Sequence, residues 1–166
     1  MPPTAAGERG ARDRVTIAPA DPLSPDLALL MARHRDAMHA DTPPQSIHMM
    51  EAAALAAPGI RFFAMHDGAR AVGMGALKPL DATHAEIKSM HVLAEMRGAG
   101  LARRMLDFLE AEARRAGYRR LSLETGSQPA FGAARRLYER AGFEICAPFG
   151  DYREDPNSVF MSKRIG

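Results

Sequence analysis

The sequence predicts a single α/β (α+β) domain, a mixed, mostly antiparallel sheet with helices on both faces. Three observations predict it. Strand-like alternation fills 60–78 around Asp67-Gly68, a pair suited to a tight hairpin turn. A strand–helix–strand unit follows over 82–124, and hairpins combined with such a unit give a mixed sheet. The 166 residues suit one domain around one core.

The elements follow in order. Residues 1–13 are Pro, Gly, Ala and charge, and are expected to form a flexible N-terminal tail ahead of a domain over 14–166. "RVTIAPA" (14–20) is a short first strand. "SPDLALLMARHRDAMHA" (24–40) is a helix, with Ser24 as N-cap, Pro25 at the first helical position, and Leu27, Leu30, Met31, His34 and Met38 at helical spacing. "SIHMMEAAALAA" (46–57) is a second helix, stopped by Pro58-Gly59. The hairpin comes next, then a strand over 82–93. Strict alternation would put Glu86, Lys88, Met90 and Val92 on one face and Ile87, Ser89 and His91 on the other. The strongest helix carries Leu101, Met105, Phe108, Leu109, Ala113 and Ala116 on one stripe, and Gly117 closes it. "YRRLSLE" (118–124) is a strand and "PAFGAARRLYERA" (129–141) a helix. "FEICAPF" and "SVFMSKRI" are the last two strands.

Composition narrows the function classes. The formal net charge is +2, too mild to argue for nucleic acid even at a pI near 9.0. The Arg-rich helix faces are interrupted by acids and lack interleaved aromatics, so no nucleic-acid partner is expected. Cys146 is the single cysteine, which excludes an internal disulfide. The six histidines fall in no ligand frame, so no metal is expected. No apolar run reaches the roughly 18 residues of a membrane span, and "MPPTAAGERGARDR" has no signal-like core. A cytoplasmic protein with no membrane partner is the default expectation. Edge strands offer a route to a homodimer.

The informative stretch is "EMRGAGLARRML" (95–106), which joins a strand to the strongest helix. The first amides of that helix have no partner within it, and its dipole makes this end positive. Gly98 and Gly100 remove side chains that would keep a ligand away, while Arg97 and Arg103 add charge. The combination suits a phosphate or diphosphate. It is not a Walker loop, because Gly100-Leu101-Ala102 stands where Gly-Lys-Ser/Thr is needed. Nor is it a dinucleotide fingerprint, because Arg103 replaces the third Gly.

"RGAGLA" (97–102) resembles the R/Q-x-x-G-x-G/A motif of the GNAT superfamily of acyl-CoA-dependent N-acyltransferases. "AEIKSMHV" (85–92) and "AARRLYERAGF" (133–143) resemble two further elements of that family in the same order. "GFEICAPFGDYREDPNSVFM" resembles a group of uncharacterised bacterial acetyltransferases. The resemblance implies a single GNAT-like N-acetyltransferase domain with two splayed parallel central strands, here 86–92 and 119–124. It implies acetyl-CoA as acyl donor and an amine of a small molecule or peptide as acceptor, by direct attack. Cofactor contacts would fall on Met90, His91, Val92, Arg97, Gly98, Ala99, Gly100, Leu101, Ala102, Arg103, Phe131 and Tyr138. Phe131 stands where family members often carry an Asn that touches the cofactor arm. Tyr138 resembles the Tyr that donates to the departing thiolate. Glu86 resembles the strand carboxylate that serves as base in several members, with Glu124 or water as alternatives. The acceptor would be selected by 24–57 and by "PFGDYREDPNS" (148–158), where Phe149, Asp151 and Tyr152 either read the amine or pack the loop. A catalytically inactive acyl-CoA-binding or sensing module is the rival reading.

Overall fold

The computed structural model describes residues 14–166, so the expected tail over 1–13 lies outside the described residues. Seven strands form one sheet in the order β1-β2-β3-β4-β5-β7-β6. They are β1 (Val15–Pro19), β2 (Arg61–Asp67), β3 (Arg70–Pro79), β4 (His84–Val92), β5 (Arg120–Gly126), β6 (Glu144–Ile145) and β7 (Ser158–Arg164). Every neighbouring pair is antiparallel except β4–β5, which is parallel. That pair flanks the helical crossover, as a strand–helix–strand unit requires.

Four α-helices accompany the sheet: α1 (Ala28–Asp41), α2 (Ala52–Leu55), α3 (Leu101–Arg115) and α4 (Gly132–Arg140). The apolar stripe of α3 is the main packing surface. Met105, Leu106, Leu109 and Ala113 are fully buried, each Leu or Met worth about 1.5–3 kcal/mol of apolar burial. The helix ends as its sequence dictates: Tyr118 N–H bonds Ala113 O at 3.0 Å and Gly117 N–H bonds Arg114 O at 3.0 Å, the Schellman pattern.

The front of the chain departs from expectation. Ser24 stands at the N-cap of a 3-10 turn over Pro25–Leu27, but no backbone amide is capped; its hydroxyl bonds the Asp26 carboxylate instead. The helix expected over 46–57 shrinks to α2, because the chain through 47–51 is diverted across the sheet. The His48 carbonyl, which a helix would use internally, accepts from the Lys88 ammonium at 2.8 Å. The strand expected from Phe143 is reduced to β6. Beyond Cys146, whose N–H bonds Phe160 O at 2.9 Å, Pro148 offers no N–H to extend the ladder.

Candidate active site

β4 and β5 share only three register pairs, His84↔Arg120, Ala85↔Leu121 and Glu86↔Ser122. After Glu86 they part. β4 continues on β3 as far as Val92, and β5 continues on β7 as far as Gly126. A gap therefore opens in the middle of the sheet. Leu93 N–H bonds Val72 O at 2.9 Å, so alternation turns the main-chain groups of Val92 the other way, towards the gap.

A bulge sits at this point. Met74 pairs with His91 but Ala76 pairs with Lys88, so Ser89 and Met90 lie opposite one β3 residue. Ser89 takes φ 58° to do so, a left-handed conformation that is unfavourable for a residue with a Cβ. The extra residue reverses the alternation. Register partners share a face, so Glu86, Lys88 and His91 project from one side, with Lys78, Ala76 and Met74 beside them. Ile87, Met90 and Val92 project from the other. The single-period expectation, which grouped Met90 and Val92 with Glu86, is corrected for this reason.

On the first side the buried charges converge. Glu86 is 2% exposed and Lys88 9%. Tyr152 O–H donates to Glu86 Oε2 at 2.5 Å, and Lys88 Nζ donates to the Tyr152 oxygen at 2.8 Å. Lys88 Nζ lies 3.5 Å from the same Glu86 oxygen. Tyr152 packs edge-on against His48 and Phe149, with ring centroids 5.2 Å away in each case. Burial and the Glu86 carboxylate push its phenol far above the ordinary tyrosine value, so it remains a donor. Glu124 joins this face two residues beyond Ser122, the register partner of Glu86. Burial raises its carboxyl above the usual range. Glu86, Lys88, Tyr152 and His48 line a cavity of about 710 Å³ whose other walls come from 45–50, 78–80 and 150–155; Glu124 lies on the same face of the sheet but outside this lining.

On the second side Tyr138 of α4 is buried at 7% exposure, and its hydroxyl lies 3.9 Å from Met90 Sδ. Burial, then the Glu124 charge, push its phenol up to about 12. Phe131 sits at the start of this helical segment with its ring over Gly126, so close that an added methyl would lie 2.2 Å from the ring. Arg135 fastens the same corner by donating to Gly126 O at 2.6 Å and Gln128 O at 3.0 Å.

At the far end of the gap, β4 leads through a 3-10 turn (Ala94–Met96) into α3. Gly98 and Gly100 have φ of 85° and 76°, a region that glycine enters without steric penalty. Gly100 is the N-cap residue and no side chain caps the helix. The opening amides at Leu101, Ala102 and Arg103 thus begin a helix whose dipole is positive here. Arg97 is exposed. Arg103 is turned along the helix, its Nε 2.9 Å from Asp107 Oδ1. Glu95, in the 3-10 turn, reaches Arg33 of α1 and Arg70 of β3 at 2.5 Å each, which ties the loop to its neighbours.

The candidate residues separate into groups. Glu86 and Glu124 lie on one face of the sheet, Glu86 in the cavity wall and Glu124 outside it; Tyr138 and Met90 meet on the other face, and Arg97–Arg103 follow the end of β4. The His91 side chain points to α1, with Nδ1 3.3 Å from His34 Nδ1. Burial depresses both rings to about 4, so both are neutral at pH 7. The sequence places Lys88 on the Glu86 face, as found; Lys78 and the His48 carbonyl were passed over, because no local pattern marks them.

Residues 27–143 match the acetyltransferase (GNAT) family. The chain is 47% identical over 136 residues to the uncharacterised N-acetyltransferase YsnE of Bacillus subtilis, covering 82% of this chain and 90% of that one. Its fold superposes on a proposed acyl-CoA N-acyltransferase from Klebsiella pneumoniae with TM-score 0.74 at 30% identity, covering 92% and 98% of the two chains. It also superposes on a GNAT acetyltransferase from Elizabethkingia anophelis with acetyl-CoA bound, with TM-score 0.63 at 19% identity, covering 92% and 99%. The parted parallel strands, the uncapped glycine-flanked helix and these likenesses converge: the chain belongs to the GNAT family and is an acyl-CoA-dependent acetyltransferase.

Proposed function

We propose that the acetyl donor lies in the gap between β4 and β5 and that a small-molecule amine meets it from the 710 Å³ cavity. The parting of β4 from β5 after Glu86 carries this reading. An extended pantetheine arm can take the place of the missing ladder along Met90, His91 and Val92. Phe131 offers the arm an apolar wall. The diphosphate belongs at the start of α3, on the amides of Leu101, Ala102 and Arg103. Gly98, Ala99 and Gly100 admit it and Arg97 adds charge. We propose a cytoplasmic location for the enzyme.

The chemistry follows from the two faces. A primary amine has a pKa of about 10, like lysine, and arrives as an ammonium. It must lose a proton before its nitrogen can attack. Glu86 Oε2 is engaged by Tyr152 and Lys88, so Glu86 holds the ammonium through Oε1. Glu124, lifted by burial and outside the cavity lining, takes the proton through water. The nitrogen then bonds the thioester carbon, and a main-chain N–H of β4 stabilises the charge that develops on oxygen. As the C–S bond breaks, Tyr138 donates a hydrogen bond to the sulfur. At about 12 it keeps its proton against a thiolate whose conjugate acid has a pKa near 8.5. The nitrogen gives up two protons on its way from ammonium to amide; one leaves through Glu124 to solvent and the other supplies the final S–H.

The test is release of free thiol from acetyl-CoA with an amine panel, followed as kcat/KM against pH. A raised Glu124 is a competent base only after it ionises, so activity should fall as pH drops through its elevated pKa. Glu124→Gln should remove that acid limb and lower kcat about a hundredfold. If Glu124→Gln keeps the limb and Glu86→Gln loses it, the base is Glu86.

A further inference from the structure

Two lysines line the cavity floor, and they are in different states. Lys88 is satisfied: His48 O, the Tyr152 oxygen and Glu86 surround its ammonium. Lys78, half-buried on β3, makes no ion pair or hydrogen bond among the described residues. Its register partner is Glu86, so the two side chains leave the same face with Cβ atoms about 4.5–5.5 Å apart. A partly dehydrated ammonium without a counter-ion is unfavourable unless a ligand supplies the charge.

The floor therefore presents a carboxylate able to hold an ammonium directly beside an ammonium able to hold a carboxylate. Opposite charges on neighbouring side chains suit a molecule that carries an amine and a carboxylate close together. Asp151, Arg153 and Glu154 at the rim are all exposed, where water and salt screen them, and the half-buried Asp155 carboxylate beside them accepts from the Asn157 N–H at 2.8 Å. Met49 and Met50 offer a pliable apolar wall for the rest of the molecule.

We infer that the acceptor is an amino acid-like zwitterion, and that Lys78 determines specificity by binding its carboxylate. This rests on the acetyl-transfer reading above. The new N–C bond forms as the C–S bond of the thioester breaks, and the acceptor carboxylate takes no part in the bond changes.

The experiment measures thiol release from acetyl-CoA with matched sets: free amino acids, their amides, and the corresponding decarboxylated amines, each at a pH giving equal free base. The expected result is a preference for the free acids of roughly tenfold or more in kcat/KM, the scale of a charge-assisted hydrogen bond. Lys78→Met should bring that ratio close to one, chiefly through KM for the acids, while Lys78→Arg retains the preference. A melting curve checks that each variant is folded. Turnover of amides and plain amines equal to or above that of the acids overturns the carboxylate assignment and leaves acetyl transfer standing. No thiol release with any member, despite acetyl-CoA binding, overturns the small-amine reading and this proposal with it.

Discussion

The donor side and the acceptor side of this site are built by different means. The side proposed for the donor runs through one continuous stretch, from β4 through the 3-10 turn into α3, and offers main-chain groups: a strand edge without a neighbour and the opening amides of a helix. The side proposed for the acceptor is assembled from 45–50, β3, β4 and 150–155, and offers side chains. Its centre is the Tyr152–Glu86–Lys88 cluster. A main-chain site tolerates most substitutions because every residue has a backbone. A side-chain site depends on each member, since removing one leaves a buried charge without a partner.

The sharpest way to break this contrast is at Lys88. Lys88→Met should destabilise the fold by about 3–5 kcal/mol, read by urea unfolding, because Glu86 at 2% exposure loses its cation. Unchanged stability would mean that the acceptor side is not held by its side-chain network.

The contrast meets at Tyr138, the side chain proposed to meet the donor's sulfur. Tyr138→Phe should cut kcat about a hundredfold, as loss of one preorganised hydrogen-bond donor does, and spare the affinity for CoA, measured by calorimetry. A loss of CoA affinity with kcat retained would make Tyr138 a wall of the donor site instead. The smallest effect belongs to the mouth of the gap. Arg97→Glu places the wrong charge beside the diphosphate and should weaken CoA binding by about tenfold at low salt, less as salt screens the exposed position. Unchanged affinity at low salt would remove the diphosphate from this loop.

The same division explains what could be read in advance. α3 was legible because its stripe, its glycine stop and its glycine-flanked start are all local patterns. The hairpin was legible from Asp67-Gly68 between alternating runs. The faces of β4 were not, because a bulge at Ser89 leaves no compositional mark; a serine there predicts a regular strand. The front segment misled for a related reason. "SIHMMEAAALAA" favours helix locally, yet the His48 carbonyl is claimed by a lysine 40 residues away.

By itself the sequence determined most of the element types behind residue 60, the strand–helix–strand order that makes β4 and β5 parallel, and the glycine-flanked start of α3, since each is read from local pattern. Only the tertiary structure decided which side Glu86, Lys88 and His91 share, that Tyr152 closes on Glu86, and that Lys78 is left without a counter-ion. Those outcomes depend on pairing register and on charges brought together from distant segments. The free energy of burying such charges is fixed by their surroundings in space, which no local stretch of sequence contains.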